Sequence, residues 1–596
     1  MGDGFNSGRF SQGLEAGTRR RQIGLDGVDG HPRRRRWLRV KRVCRPVAVN
    51  LRRLLLRAGC CFALVLGGVM RPWFWFCLMA GVVGSQVCLW VTRLPLGIPG
   101  EWTWTRVAGE PDAVWNLVGV TAAAALYVAF VEAGTRRLSG AANSTRRSLE
   151  LFAWLAGLVA VSFTWLWVVQ ESAPIRSRLG KSAFVLYYPG SSGYFTKSRY
   201  KSPDAAKSPD AATLLAEYEA LMRERDVLHV GTHPPGLFLI FHGLISLCQQ
   251  SPALSAFLDA TQPASFREAG DVIARNSVRS VPPRPLLPAD RRVLWLATLL
   301  VMGSAALAVV PLFCLVRRTH DAAAAWQAAA LWPAIPAVAV FTPKSDVAFA
   351  LVGLLMVWTW LAAVDRRSLL PALIAGLLVW CGLIMSLAFL PVVLFMVIVG
   401  WRPAASTASS TETTGSDTGL FLWMKGAPPG RCLVAGAAGF LIPTLLLSLC
   451  CHINLWAVWW LNYQNHAAFY VQFPRTYWKW LLVNPVELAF AAGWPVMLLS
   501  VGFLGSAARS RRHVALPVAI GVVVVWGSLW LTGKNSGEAA RLWIVFLPWL
   551  VWLAGMRLAE IDPSGTRGWY RPSLIVLAVQ LVVCALTVAR VSGFEL

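Results

Sequence analysis

The chain has 596 residues, 56% of them hydrophobic and only 14% charged, with a mean hydropathy of +0.53. A soluble protein of this length would divide into several cores and carry nearer a quarter charged residues; apolar runs of roughly 18–25 residues between short basic loops indicate a polytopic helical membrane protein instead. The formal net charge of +26 is concentrated in a basic tail and in loops between apolar runs. Positive charge there fixes topology and does not point to nucleic acid as a partner.

Residues 1–57 form a Gly- and Arg-rich tail with Arg19-Arg20-Arg21 and Arg33-Arg34-Arg35-Arg36. The tail is too long, and the first span too poor in small-x-small exits, for a cleavable signal peptide. It reads as a cytoplasmic tail lying on anionic lipid. The start MGDGFN carries Asn6 where a myristoylation signal needs Ser or Thr. The twelve cysteines are scattered, mostly within apolar runs, and none has metal spacing.

Membrane helices are predicted at 72–92, 113–133, 149–169, 292–315, 322–341, 345–364, 369–385, 387–401, 432–451, 481–505, 514–532, 542–558 and 572–590, about thirteen in all. Between the second and third lies TRRLSGAANSTRRS, whose Arg136, Arg137, Arg146 and Arg147 belong in the cytoplasm. The N-terminus is then inside, and the loop with Pro99-Gly100-Glu101-Trp102 outside. The expected fold is an all-α polytopic membrane helix bundle. Its parts are a basic cytoplasmic tail (1–57), an N-terminal transmembrane module (58–401), a flexible cytoplasmic linker (402–431) and a C-terminal transmembrane module (432–596).

A long external loop, 171–290, interrupts the first module. It holds the tandem KSPDAA-KSPDAA at 201–212, read as a solvated linker, a helix at 211–225, and the apolar run 237–248 behind His233-Pro234-Pro235. That run is short for a bilayer needing about 20 residues. A full crossing would put Arg317-Arg318, Asp365-Arg366-Arg367 and the later basic loops outside, against the charge rule. It is therefore expected to be re-entrant or interfacial.

With this topology, polar residues gather on the external face: Glu101; His229 and His233; Thr342-Pro343-Lys344-Ser345-Asp346; and the late loops 462–480 and 533–543 with Arg475, Glu538 and Arg541. Ionisable groups at membrane depth cost about 2.5 kcal/mol or more and usually face a cavity. Each also has a structural reading. Glu101 can be an interfacial carboxylate, Asp346 a helix cap, and His233 a packed turn residue. Glu538–Arg541 can be a loop-ordering ion pair, and Arg475 a snorkelling anchor. Together they suit glycosyl transfer from a lipid-phosphate sugar. A carboxylate deprotonates the acceptor hydroxyl, and arginine holds the departing phosphate.

The His233-Pro234-Pro235 turn opening a short helix, the Pro343-x-x-Asp346 break and the segment Gly537–Trp543 before an apolar helix with Pro548 resemble the GT-C class of polytopic glycosyltransferases. The likeness is to bacterial relatives of the protein O-mannosyltransferase and aminoarabinose transferase type, over roughly residues 72–560. It implies a polyprenyl-phosphate-linked sugar donor and an acceptor (glycan, lipid or protein) on the external face, in a cell membrane. It assigns Glu101 as catalytic base with Asp346 in support, and His233, Arg475, Glu538 and Arg541 to substrate binding. In that class the acidic residue and the Pro-Pro turn share one loop, so Glu171 is the alternative base. Some members use a divalent metal, which no acidic cluster here indicates. The alternative to an enzyme is a multi-pass transporter or lipid flippase, or a non-catalytic membrane protein. Transport folds show internal repeats and helices broken at mid-bilayer, and the sequence has no convincing repeat.

Overall fold

The computed structural model describes residues 70–107, 113–139, 146–174, 177–188, 192–199, 211–227, 230–278, 284–401, 430–509, 516–561 and 571–594. These belong to one compact unit, Leu66–Leu596. The expected tail 1–57, most of the linker 402–431, His229 and most of the tandem duplication lie outside the described residues.

The protein is an all-α polytopic membrane helix bundle. Helices α1 (Met70–Trp90), α2 (Ala113–Ser139) and α3 (Arg146–Glu171) lead into a run of short helices. These are α4 (Lys181–Tyr187), α5 (Tyr194–Arg199), α6 (Ala211–Ala216), α7 (Tyr218–Arg223), α8 (Gly236–Gln250), α9 (Pro252–Thr261) and α10 (Ala264–Ser277). The bundle resumes with α11 (Pro288–Leu307), α12 (Val309–Val316), α13 (Ala322–Leu331), α14 (Pro336–Val340), α15 (Ser345–Arg366), α16 (Leu369–Met385) and α17 (Leu390–Gly400). Then follow α18 (Gly430–Cys451), α19 (Leu455–Gln472), α20 (Tyr477–Ala492), α21 (Trp494–Arg509), α22 (Leu516–Leu531), α23 (Ala539–Leu542), α24 (Leu547–Ile561) and α25 (Pro572–Arg590).

Among the described residues, eight helical spans are long and apolar enough to cross a membrane, or up to ten if each of two bent pairs counts as one span. All thirteen expected spans fall on helical chain, but several are short or broken. The expected span 322–341 is α13, a 3-10 turn Trp332–Ala334 and α14. Pro333 and Pro336 remove two backbone donors, and Ile335 before proline is extended. The expected span 481–505 bends by 115° between α20 and α21, at Gly493 with φ +82°. Gln580 on α25 donates to the carbonyls of Ala334 and Ala492 at 3.0 and 2.9 Å, so backbone freed at both breaks is satisfied inside the protein.

The polarity of the helices follows from their contacts. α15 has 22 residues, about 33 Å at 1.5 Å per residue, so Asp346 and Asp365 lie at opposite ends of the bundle. α3 and α13 run side by side toward the Asp346 end: the Trp165 indole donates to the Pro333 carbonyl at 3.1 Å. α11 starts at that end, with Trp295 5.3 Å from Trp167 near the end of α3. The connection from α3 to α11 therefore leaves and returns on one side.

Within that connection, Ser265 donates to Glu171 at 2.7 Å, the Phe266 ring packs tilted against Trp295 with centroids 4.9 Å apart, and Arg292 pairs with Asp259 at 2.7 Å. α8 and α9 meet at 103°. Ser251 is extended before Pro252, which occupies the first turn of α9, and Ser251 accepts from the Leu254 N–H at 3.3 Å. The apolar piece behind the double proline is thus bent sharply at its end, a geometry shared by a broken span and a re-entrant piece. The expected helix 211–225 is split into α6 and α7.

Two small strand pairs close the Asp346 end. β1 (Gly97–Ile98) pairs with β2 (Trp102–Thr103), and β3 (Thr105–Arg106) pairs antiparallel with β4 (Val591–Ser592) directly after α25.

Candidate active site

The residues singled out by their chemistry meet at the Asp346 end in two adjoining groups. The first is centred on Asp346, the second residue of α15. Lys344 occupies the cap position, so the Asp346 carboxylate is not spent as an N-cap, although the helix start still favours its charge. Asp346 is half-buried and, among the described residues, accepts no hydrogen bond. It lies in the electrostatic field of Arg541, Tyr194 and Lys344. Arg541 pairs with Glu538 one helical turn away, and both side chains are largely buried, at 18% and 25% exposure. Burial works against the charge on Arg541, but Glu538, Asp346 and Tyr194 outweigh it and hold its pKa above the ordinary arginine value.

Lys344 is buried, with its Nζ 6.0 Å from the Phe594 ring. Burial, with the Arg541 charge adding to it, pushes its pKa down to about 7 against the pull of Asp346 and Glu538. Buried Tyr194 on α5 faces His233 with ring centroids 5.6 Å apart. Its hydroxyl pKa is raised by burial first and the Asp346 charge second.

His233 is held by its backbone: its carbonyl accepts from the Tyr218 hydroxyl at 2.8 Å and from Asn462 at 3.2 Å. Asn462 and Asn465, both buried on α19, also donate to the Gly231 carbonyl at 2.9 and 2.8 Å. Pro234 and Pro235 then start α8. Gly236 is required there, because a Cβ would come within 2.6 Å of the Ile384 carbonyl oxygen.

The second group is built on Glu101. Its carboxylate accepts from the Thr476 N–H at 2.9 Å, the Thr476 hydroxyl at 2.5 Å and the Trp480 indole at 2.6 Å, while Arg475 donates to its backbone carbonyl. Partial burial raises the Glu101 pKa, but the Thr476 and Trp480 hydrogen bonds and the Lys479 charge outweigh it, leaving the net value below the usual carboxylate range. A carboxylate with three donors and a depressed pKa is a weak proton acceptor. The geometry makes Glu101 a clamp between the first loop and the start of α20.

Gly537, at φ +91°, joins the two groups. A Cβ there would lie 3.2 Å from Arg475 Nε and from the Trp480 ring, so the left-handed turn is needed for close approach. Arg475 thus lies against the glycine that precedes the Glu538–Arg541 pair, and each arginine keeps a buried Nε–H with no acceptor among the described residues. Glu171 is occupied by the Leu179 N–H at 3.1 Å and Ser265 at 2.7 Å.

Several residues that position these groups carried no isolated signal in the sequence. Glu487 accepts from the Trp104 indole at 3.3 Å and the Ala540 N–H at 3.1 Å, joining the first loop to α23. Buried Lys181 donates to the carbonyls of Ala339 and Val340 at 3.1 and 3.2 Å, just before the Thr342–Pro343 break. Among the described residues no three His, Cys, Asp or Glu side chains converge as a metal site would require.

No family model matches this sequence. The comparison with characterised proteins likewise found no match. Among solved structures, the chain is similar to the oligosaccharyltransferase of Archaeoglobus fulgidus, crystallised with zinc and sulfate, at 13% identity and a TM-score of 0.29. The match covers 67% of this chain, and this chain spans only 53% of that one. At that TM-score the likeness carries no argument about fold or activity.

Proposed function

We propose that the protein is an integral-membrane glycosyltransferase acting at the Asp346 end of the bundle, and that this end faces outside, a reading supported by the arginine-rich loops at the opposite end. It transfers a sugar from a polyprenyl-phosphate donor to an acceptor hydroxyl. The observation that carries this reading is the Asp346 carboxylate, which among the described residues accepts no hydrogen bond, in the field of Arg541, whose Nε–H, like that of Arg475, lacks an acceptor among the same residues.

In the proposed reaction the acceptor oxygen attacks the anomeric carbon and its proton passes to the Asp346 carboxylate. The anomeric C–O bond to phosphate breaks, and its electron pair leaves with the polyprenyl phosphate. Arg541, Arg475 and protonated Lys344 offset the charge that develops on the phosphate oxygens. His233 and Tyr194 flank the same space. The satisfied breaks at Ala334 and Ala492 weigh against transport, because backbone already paired within the protein is not available to a passing solute.

The test is sugar transfer from labelled lipid-linked donors in membranes carrying the wild type, Asp346→Asn or Glu101→Gln. Asp346→Asn is expected to lower turnover by about 10²–10⁴-fold, the range of a lost general base, with Glu101→Gln much milder. Full activity in Asp346→Asn removes the proposal.

A further inference from the structure

A second feature lies at the opposite end of the bundle, about one helix length from Asp346. A cavity of about 200 Å³ opens between α12, α15, α17, α22 and α24, lined by Arg318, Thr319, Asp365, Pro517, Val518 and Trp552, with Leu361 and Val399 behind. One part of the lining is polar: the Arg318 guanidinium (17% exposed), its ion-pair partner Asp365 and the Thr319 hydroxyl. The rest is aliphatic and aromatic.

We infer that this cavity is a binding site for the phosphate headgroup of an anionic phospholipid, with the glycerol and upper acyl carbons on the Leu361–Val399–Val518 wall. Three groups of independent origin at the lining favour an anion. Arg318 presents a planar fork suited to phosphate oxygens. Val518 is in the first turn of the 16-residue helix α22, beside Pro517, which has no N–H; backbone N–H groups there lack intrahelical partners and the helix dipole favours negative charge. Trp552 is 1% exposed, and its indole N–H has no acceptor among the described residues. A buried donor left unmet costs about 1–3 kcal/mol, which an acceptor oxygen in the cavity recovers.

The single acid, Asp365, is already engaged by Arg318. In the chain beside the lining residues Arg318, Thr319 and Asp365, Arg317, Arg366 and Arg367 add positive charge against Asp321, a balance that draws anionic lipid to this end. α15 ends at Arg366, so the cavity lies at the depth where a spanning helix meets headgroups. Its amphipathic lining fits a lipid better than a free ion, which has no use for the apolar wall.

The experiment uses the full chain purified in detergent, supplemented with phosphatidylglycerol or phosphatidylcholine, with bound lipid counted by native mass spectrometry and thermal stability followed in parallel. Wild type is expected to retain phosphatidylglycerol in preference to phosphatidylcholine and to gain melting temperature from it alone. Arg318→Gln is expected to lower retention about tenfold or more, as loss of a charge-assisted phosphate contact predicts. Val399→Trp fills the cavity without changing charge and is expected to do the same, so a folding defect in one variant leaves the other decisive. Arg317→Gln, off the lining, should retain the lipid. Equal retention of the two lipids, unchanged retention in Arg318→Gln and Val399→Trp, or equal stabilisation by millimolar inorganic phosphate would each overturn the assignment.

Discussion

Replacing Glu101 with alanine deprives three donors of their acceptor at once: the Thr476 N–H and hydroxyl and the Trp480 indole. Hydrogen bonds to a charged acceptor contribute about 1.5–3 kcal/mol each. Glu101 is half-exposed, so water replaces part of each, and about 3 kcal/mol for the set is a discounted figure. The free energy of opening the joint between the first loop and α20 should fall by that amount. Since about 1.4 kcal/mol is a factor of ten, the Thr476 amide should exchange with solvent about 10²-fold faster. Glu101→Gln keeps an acceptor and loses only the charge, so its acceleration should be about tenfold. Hydrogen–deuterium exchange with mass spectrometry, read on peptides covering 97–106 and 473–480, measures both. If exchange in Glu101→Ala stays within about twofold of wild type, the clamp reading is wrong, and the low pKa of Glu101 needs another cause.

Asn462→Leu removes two hydrogen bonds from the turn ahead of α8, costing about 2 kcal/mol; faster proteolysis at 224–227 reports it, and unchanged cleavage argues against it. Breaking the buried Arg199–Asp290 pair, 2.9 Å apart with both side chains under 10% exposed, should cost about 3–5 kcal/mol in Arg199→Met. The double variant Arg199→Met/Asp290→Leu should recover most of that in thermal denaturation. Recovery should stay incomplete by about 1 kcal/mol, because Asp290 also accepts the Leu287 N–H at the start of α11. Lys181 and Lys344 are both pushed down to about 7 by burial, below the unfolded lysine value of about 10.4. The unfolded chain therefore binds more protons between about pH 7 and pH 10, so stability rises with pH across that window and is level below it. Lys181→Met should roughly halve the slope; equal slopes in the two proteins would contradict the assignment.

Much of the scaffold could be read from the linear chain because hydropathy is a local property. The expected helices 369–385 and 572–590 match α16 and α25 residue for residue. What escaped were the interruptions and the helical course of 462–480. Segment 462–480 has the polar composition of a loop, yet α19 runs to Gln472 and α20 starts at Tyr477. The asparagines on α19 are spent on the carbonyls of residues 222, 231 and 233, more than 200 positions away, so no local pattern marks that face as buried. The same distance hid the site's supports. Trp104 and Glu487 are 383 residues apart, and each alone looks like one more aromatic or acid at an interface. Asp346 and Arg541 were visible because prolines and glycines punctuate the chain beside them. Their separation from Glu101 by its own set of donors required the folded geometry.

The pairing of β3 with β4 has a consequence for biosynthesis. Residues 105–106 leave the ribosome long before 591–592, and Arg590 also grips the carbonyls of Leu89 and Val107. Through most of translation the first loop has no strand to dock on, and its aromatic side chains stay without their later partners. The strand pair at this end can form only once α25 has been made, which makes the last helix the element that fastens the first loop.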